Sequence, residues 1–248
     1  MTTFLQDTYS VWWADLRILR HLWQRFLITS LMSPMLYLLA FGYGLGRWIE
    51  VEGTDYLKFL IPGIIALSAL NTAYNGSGFK LNVDRLYNKS FDEMLMVPIR
   101  SFSLILGKSM VGVFRGLIVS VCFLVIGLAV SSMNVTPLFL LVLVASCFMF
   151  SFMGVLCALL AKTHVGMATF TSVVVMPMTF LGGTFFSINQ VPGWLKGILY
   201  VLPLTHTSNC LRAEALGTDF PWLSFLGIAG FLVVFFCACL VALRRSSV

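Results

Sequence analysis

From Gly116 to Ala161 the chain carries no charged residue. One helix crosses a bilayer with about 20 apolar residues, so this run is too long for a single crossing and has to turn. The only turn chemistry inside it is Ser131-Ser132-Met133-Asn134-Val135-Thr136-Pro137, which sets two spans, 104–130 and 137–160, joined by a tight loop. The same reading extended along the chain finds further uncharged stretches at 26–46, 59–79, 166–186 and 221–243. The expected fold class is therefore an all-α polytopic membrane protein with six transmembrane helices in one domain, 1–248. Composition agrees, since only 10% of the residues are charged and mean hydropathy is +0.93, whereas soluble domains are roughly a quarter charged.

What lies between the spans is as informative. At 100° per residue, Trp12, Leu16, Leu19, Trp23 and Phe26 share one arc, with Arg17, Arg20, His21, Gln24 and Arg25 opposite. This pattern predicts an N-terminal interfacial amphipathic helix over residues 1–25, with Trp and Arg suited to the headgroup layer of a lipid bilayer. No basic residue precedes Arg17 and the apolar run that follows exceeds a signal h-region, so no cleavable signal peptide is expected.

The longest polar interruption, residues 80–102, holds Lys80, Asp84, Arg85, Lys89, Asp92, Glu93 and Arg100. Leu81, Leu86, Phe91, Met94 and Leu95 recur in it at roughly helical spacing, which predicts one or two short amphipathic helices on the membrane face, the second ended by Pro98. A later stretch, 187–220, is apolar but broken by Pro192, Lys196, Pro203 and Arg212, and is expected to form external re-entrant or interfacial helices.

With six spans, Arg47, Lys58, Lys196 and Arg212 fall on one side and the other twelve of the sixteen Lys and Arg on the opposite one. The positive-inside rule then places both termini in the cytoplasm. The net charge of +6 needs no nucleic-acid partner on this account. No CxxC pair or metal-ligand spacing occurs among the six cysteines and three histidines, so neither a disulfide framework nor a metal site is expected. Gly107-Lys108-Ser109 looks like the end of a phosphate-binding loop, but Phe102 stands five positions before Gly107 where that loop requires Gly, and the Walker A pattern fails.

Several short motifs occur in a telling order: Phe59-Leu60-Ile61-Pro62-Gly63, Asn71-Thr72-Ala73-Tyr74, Asp92-Glu93-Met94-Leu95-Met96-Val97-Pro98, Gly107-Lys108, and Phe180-Leu181-Gly182-Gly183-Thr184-Phe185-Phe186-Ser187 followed by Pro192 and Pro203. Together with the layout they resemble the ABC-2 family of ATP-binding-cassette transporter permeases, which includes nodulation-factor, polysaccharide and drug exporters. The resemblance covers essentially the whole chain. It implies a non-enzymatic permease of the bacterial inner membrane, two copies of which form the pathway, with two copies of a separate ATPase beneath them. ATP and Mg would bind that partner and no cofactor this chain. It also implies that the polar segment is a cytoplasmic coupling helix between spans two and three, with Arg85, Phe91, Asp92, Glu93, Met94, Leu95 and Arg100 as the residues that engage the ATPase.

Amides and broken helices inside apolar spans mark interiors or cavities, because unpaired polar groups in hydrocarbon are costly. Asn71, Tyr74, Asn75 and Ser77 in the second span and Met178, Thr179, Phe180 and Phe186 in the fifth are accordingly the candidate substrate pathway. An ion-coupled secondary transporter is the alternative, but it normally carries an intramembrane Asp, Glu or His relay, and no Asp or Glu falls inside a predicted span. An intramembrane enzyme would need paired carboxylates or ligand clusters, which the spans also lack. Aromatic and Met-rich spans suit an amphipathic or lipid-linked substrate, and the resemblance implies export and adds a saccharide as a further class of cargo.

Overall fold

Among the described residues, six helices are long and apolar enough to cross a membrane: Trp23–Gly44, Tyr56–Leu86, Ser101–Val130, Pro137–Leu160, His164–Leu181 and Trp222–Arg245. They are seen in a computed structural model that describes residues 2–46, 50–51, 54–97, 99–131 and 133–246. The first lies in α1 (Thr2–Tyr37) and the π-helical turn Leu38–Leu45 that continues it. The next three are α2 (Tyr56–Leu86), α4 (Ser101–Val130) and α5 (Pro137–Leu160). The fifth runs through α6 (His164–Phe170), a second π-helical turn (Thr171–Val175) and α7 (Met176–Leu181), and the last is α10 (Trp222–Ser246). Short helices α3 (Ser90–Met96), α8 (Gly193–Tyr200) and α9 (Pro203–Leu216) occupy the ends. Among the described residues the only strands are a two-residue antiparallel pair, β1 (Glu50–Val51) and β2 (Thr54–Asp55), leading into α2.

α2 is the axis of the bundle. It is apolar on all sides from Phe59 to Leu70 and buried on all sides there, with α4, α5 and α9 packed around it. Lipid offers no hydrophobic drive between helices, so close packing of small residues has to hold them together. The crossing point shows how. A Cβ on Gly112 of α4 would lie 2.5 Å from the Ala73 carbonyl oxygen, and one on Gly154 of α5 would strike the Tyr74 carbonyl. Ser77 of α2 then donates to the Ser151 carbonyl of α5 at 2.9 Å, and Ser151 donates to Ser109 of α4 at 2.7 Å.

At the opposite end from α3, α9 is wedged among the starts of α2, α5 and α10. Thr207 hydrogen-bonds Ser146 at 3.0 Å, and Thr136, which caps α5, donates to Glu214. Arg212 is the buried keystone of this end. Its Nε donates to the Phe59 carbonyl at 3.2 Å, Nη2 to that of Gly183 at 2.8 Å, and the guanidinium lies 3.6 Å from the Phe59 ring centroid. Irregular backbone at 182–184 is tolerated inside the bundle because Ser208 satisfies the Gly182 carbonyl and Arg212 those of Gly183 and Thr184. Gly63 makes the approach possible, since a Cβ there would sit 2.7 Å from the Thr184 oxygen.

Three elements differ in extent from the sequence reading. Residues 2–37 form one continuous helix, so interfacial helix and first span merge. The polar segment begins as the last two turns of α2, and only α3 is a separate short helix; Pro98 lies outside the described residues. The stretch 187–220 divides into a 3-10 turn, α8 and α9, with the break at Val201–Leu202 because Pro203 disfavours helix in the residue before it.

The crossing is tested by Gly112→Val, which pushes a side chain into the α2 backbone. We expect destabilisation at or above the upper end of the roughly 1–3 kcal/mol of ordinary overpacking, read as a lowered melting temperature of the purified chain. Gly230→Ala in α10, where no atom lies within 4 Å of the new Cβ, should melt no lower than the parent.

Candidate functional site: a polar cavity and an ionic clasp

Two polar constellations interrupt the apolar interior. The first stands at the α3 end and involves four charges. Asp15 of α1, Lys80 and Asp84 of α2 and Lys108 of α4 form a closed quartet. Lys108 Nζ lies 2.8 Å from Asp84 and 3.1 Å from Asp15, and Lys80 Nζ lies 2.6 Å from Asp84 and 3.6 Å from Asp15. Asp15, Asp84 and Lys108 are buried. Two cations and two anions cancel, which is what allows such a group out of water. Gly107 lets α1 close over it, since its Cβ would lie 2.7 Å from Val11. Gly107-Lys108-Ser109 is thus an interior turn of α4, with Lys108 in a salt bridge and no phosphate loop around it. Sequence reasoning placed Lys80 and Asp84 in the polar segment on the membrane face and passed over Asp15. The available signal was that Asp15, at 100° per residue, falls beside the apolar arc of Trp12, Leu16 and Leu19.

Next to the quartet, the residues of the polar segment divide into anchors and free groups. Arg85 donates to the carbonyls of Ala158, Leu159 and Ala161 at 3.0, 2.6 and 3.2 Å, so its guanidinium caps the end of α5. Phe91 is buried beside Leu81, Leu104 and Leu243 and pins α3 to the bundle, with Met94 and Leu95 half-buried against the same core. Glu93 and Arg100 are exposed; the side chain of Asp92 lies outside the described ones. Large apolar groups are also left open here, Met96 at 85% and Tyr87 at 71% exposure, the latter stacked on His164 at 4.6 Å.

The second constellation is a cavity of about 500 Å³ bounded by α1, α2, α4 and the run from Thr171 to Phe180. Asn71, Thr72 and Asn75 line it from α2, Ser30, Ser33 and Tyr37 from α1, and Thr171, Ser172, Thr179 and Phe180 from the fifth span. Its wall contains the π-helical turn Thr171–Val175, a feature often found at functional sites.

Of the eight pathway candidates, Asn71, Asn75, Thr179 and Phe180 meet in this cavity. The other four lie elsewhere. Tyr74 is buried with its hydroxyl 3.0 Å from Thr171 and 3.4 Å from Cys157, and Ser77 is the bond at the helix crossing. Met178 turns to an apolar groove beside Cys157 and Phe235, and Phe186 is half-buried away from the cavity. Sequence reasoning missed the α1 wall and Arg115 of α4. Ser30, Ser33 and Tyr37 do recur at i, i+3 and i+7, a helical face that was readable.

The quartet generates a stability test. Lys108→Met leaves Asp15 and Asp84 to share Lys80, and we expect a loss of about 3–5 kcal/mol in thermal or denaturant unfolding of the purified chain. Adding Asp84→Asn restores neutrality around the Asp15–Lys80 pair and should recover much of it. A single mutant that melts like the parent would mean the quartet is solvated.

The sequence pattern of the ABC-2 type transporter family matches residues 6–216. The chain is 27% identical over 242 residues to the inner membrane transport permease YadH of Escherichia coli K12, covering 96% of this chain and 94% of that one. It is 24% identical over 198 residues to nodulation protein J of Rhizobium meliloti (77% and 74% covered), and 25% over 230 residues to that of Neorhizobium galegae (88% and 86%).

Proposed function

This chain belongs to the ABC-2 type transporter family and is a transport permease, a multi-pass protein of the inner membrane, and on that premise we propose that it works as half of an ATP-driven exporter. Two copies form the pathway. A separate ATPase docks on the α3 end, which faces the cytoplasm together with both termini, and ATP and Mg are bound there. The cavity between α1, α2 and α7 is the part of the route each copy contributes, and α8 and α9 close the outer end.

One observation carries the docking: α3 is pinned by Phe91 while its far side leaves Met96 and Glu93 uncovered, close in sequence to the exposed Tyr87 at the end of α2. An apolar group as open as Met96 is what a partner's surface covers, and Glu93 and Arg100 supply charges at its edge. α3 joins the ends of α2 and α4, and the ionic quartet ties those same two helices to α1. A push on α3 therefore reaches both the helix that carries Asn71 and Asn75 and the helix that forms the cavity's opposite wall, in the manner of packed helices that shift together.

The buried carboxylates raise the ion-coupled alternative again, because Asp15 and Asp84 lie inside the bundle. Each is held by two lysines. A carboxylate fixed between two ammonium partners is a structural ion pair, which suits a clasp better than a proton relay.

The test is co-purification from gently solubilised native membranes. The parent chain should bring down a soluble protein with a Walker A loop in stoichiometric amount, and the eluate should hydrolyse ATP. Met96→Asp with Glu93→Lys should lose that partner while the chain stays inserted and melts normally. A parent chain that purifies without any ATPase, or a double mutant that keeps it and exports normally, would overturn the reading.

A further inference from the structure

We infer that the cavity holds the anionic headgroup of an amphipathic molecule, with Arg115 as its counter-charge; this deepens the transport reading and rests on it for the ligand's being cargo. Arg115 lies seven residues beyond Lys108 on α4, about two turns further into the span. A charge at such a depth almost always faces a partner or an aqueous cavity. Here it lines the cavity, its Nε has no hydrogen-bond partner, and its guanidinium rests on the Phe26 ring at 5.2 Å. The carboxylate that acts on it is Asp15, which Lys80 and Lys108 already share.

The wall opposite is built to leave this cation free. Gly76 faces it from α2, where a Cβ would come within 3.0 Å of the Arg115 Cδ. On the same helix Asn71 and Asn75 add amides, and Ser30 and Ser33 of α1 add hydroxyls, while among the described residues no Asp or Glu lines the space. A cationic or neutral ligand would leave Arg115 uncompensated. A phosphate or carboxylate meets its planar fork of donors and finds further donors around it. The cavity's rim carries Met176, 59% exposed, and Phe180, 44% exposed, so an alkyl tail attached to the headgroup would rest on apolar surface. A volume near 500 Å³ is that of an ordinary small-molecule site.

The probe is dodecyl phosphate, added to the full chain in nanodiscs of zwitterionic phosphatidylcholine, with dodecanol and inorganic phosphate as controls and binding read by native mass spectrometry and thermal shift. We expect one dodecyl phosphate per chain, bound at least tenfold more tightly than either control. Arg115→Gln should weaken it about tenfold or more, the size of a lost charge-assisted hydrogen bond, without changing dodecanol. Asn75→Asp, which sets a carboxylate beside Arg115, should do the same, so a folding failure of one variant leaves the other to decide. Nanodiscs containing phosphatidylglycerol separate the sources: competition there identifies a bilayer phospholipid as an occupant, and its absence identifies a ligand from outside the bilayer, both with Arg115 at the site. Equal binding of dodecyl phosphate and dodecanol, or parent-like binding by both variants, would overturn the inference. No nucleotide or ATPase enters the measurement, so its failure leaves the transport reading standing, and loss of the ATPase partner would leave this binding intact.

Discussion

Lys108 sits where an unpaired charge is intolerable, and the arrangement of one whole end of the bundle follows from keeping it paired. Its two carboxylates come from different helices, Asp15 from α1 and Asp84 from α2. Lys80 then balances the second charge of that pair. The clasp fixes the relative register of α1, α2 and α4 just before the chain turns through α3, and Gly107 exists at that point so that α1 can come close enough to deliver Asp15. Replacing such a cluster by apolar residues is often neutral for stability. Its use here is positional: three helices that wall the cavity are locked together at the end where a partner would push.

The other end is held by the same logic with different groups. Arg212 is buried there and spends its donors on backbone carbonyls of Phe59 and Gly183, as Arg85, back beside the quartet, does on the last turn of α5. Between these two fixed ends lies Arg115, a charge on the cavity wall whose Nε has no hydrogen-bond partner, and around it the hydroxyls and amides of the cavity. Lys108, Arg85 and Arg212 are thus structural cations held by protein groups, while Arg115 faces open polar space. That separation, more than any single contact, distinguishes a route from a packing defect.

Much of this was legible in the sequence. Six spans follow from charge-free length alone, and α2 announces itself as interior by being apolar on every face while carrying Asn71 and Asn75. Polar type did not reveal direction, however. Tyr74 and Ser77 are as polar as the asparagines beside them, yet they serve the contacts with Thr171 and Ser151; which side of α2 faces the cavity depends on where α5 packs, and that is set by Gly154 far along the chain. Lys80 and Asp84 read as part of a separate polar segment because a helix's continuation past a membrane face leaves no mark when the residues after it stay helix-compatible. Asp15 went unread because one acid beside an apolar arc is meaningful only once its lysine partners, sixty-five and ninety-three positions away, are known to be there.

The account turns on the cavity's being a route whose access changes with the state of the ATPase, and reactivity of a cysteine placed there measures it most directly. Asn75→Cys and, as a buried control, Ser77→Cys would be treated with a small hydrophilic maleimide in inside-out membranes, with and without vanadate-trapped ATP, against the parent chain as background. The account predicts that Asn75→Cys reacts, that trapping changes its rate several-fold, and that Ser77→Cys stays at background in both states. An Asn75→Cys chain that never reacts, or reacts at one rate regardless of nucleotide, would contradict it.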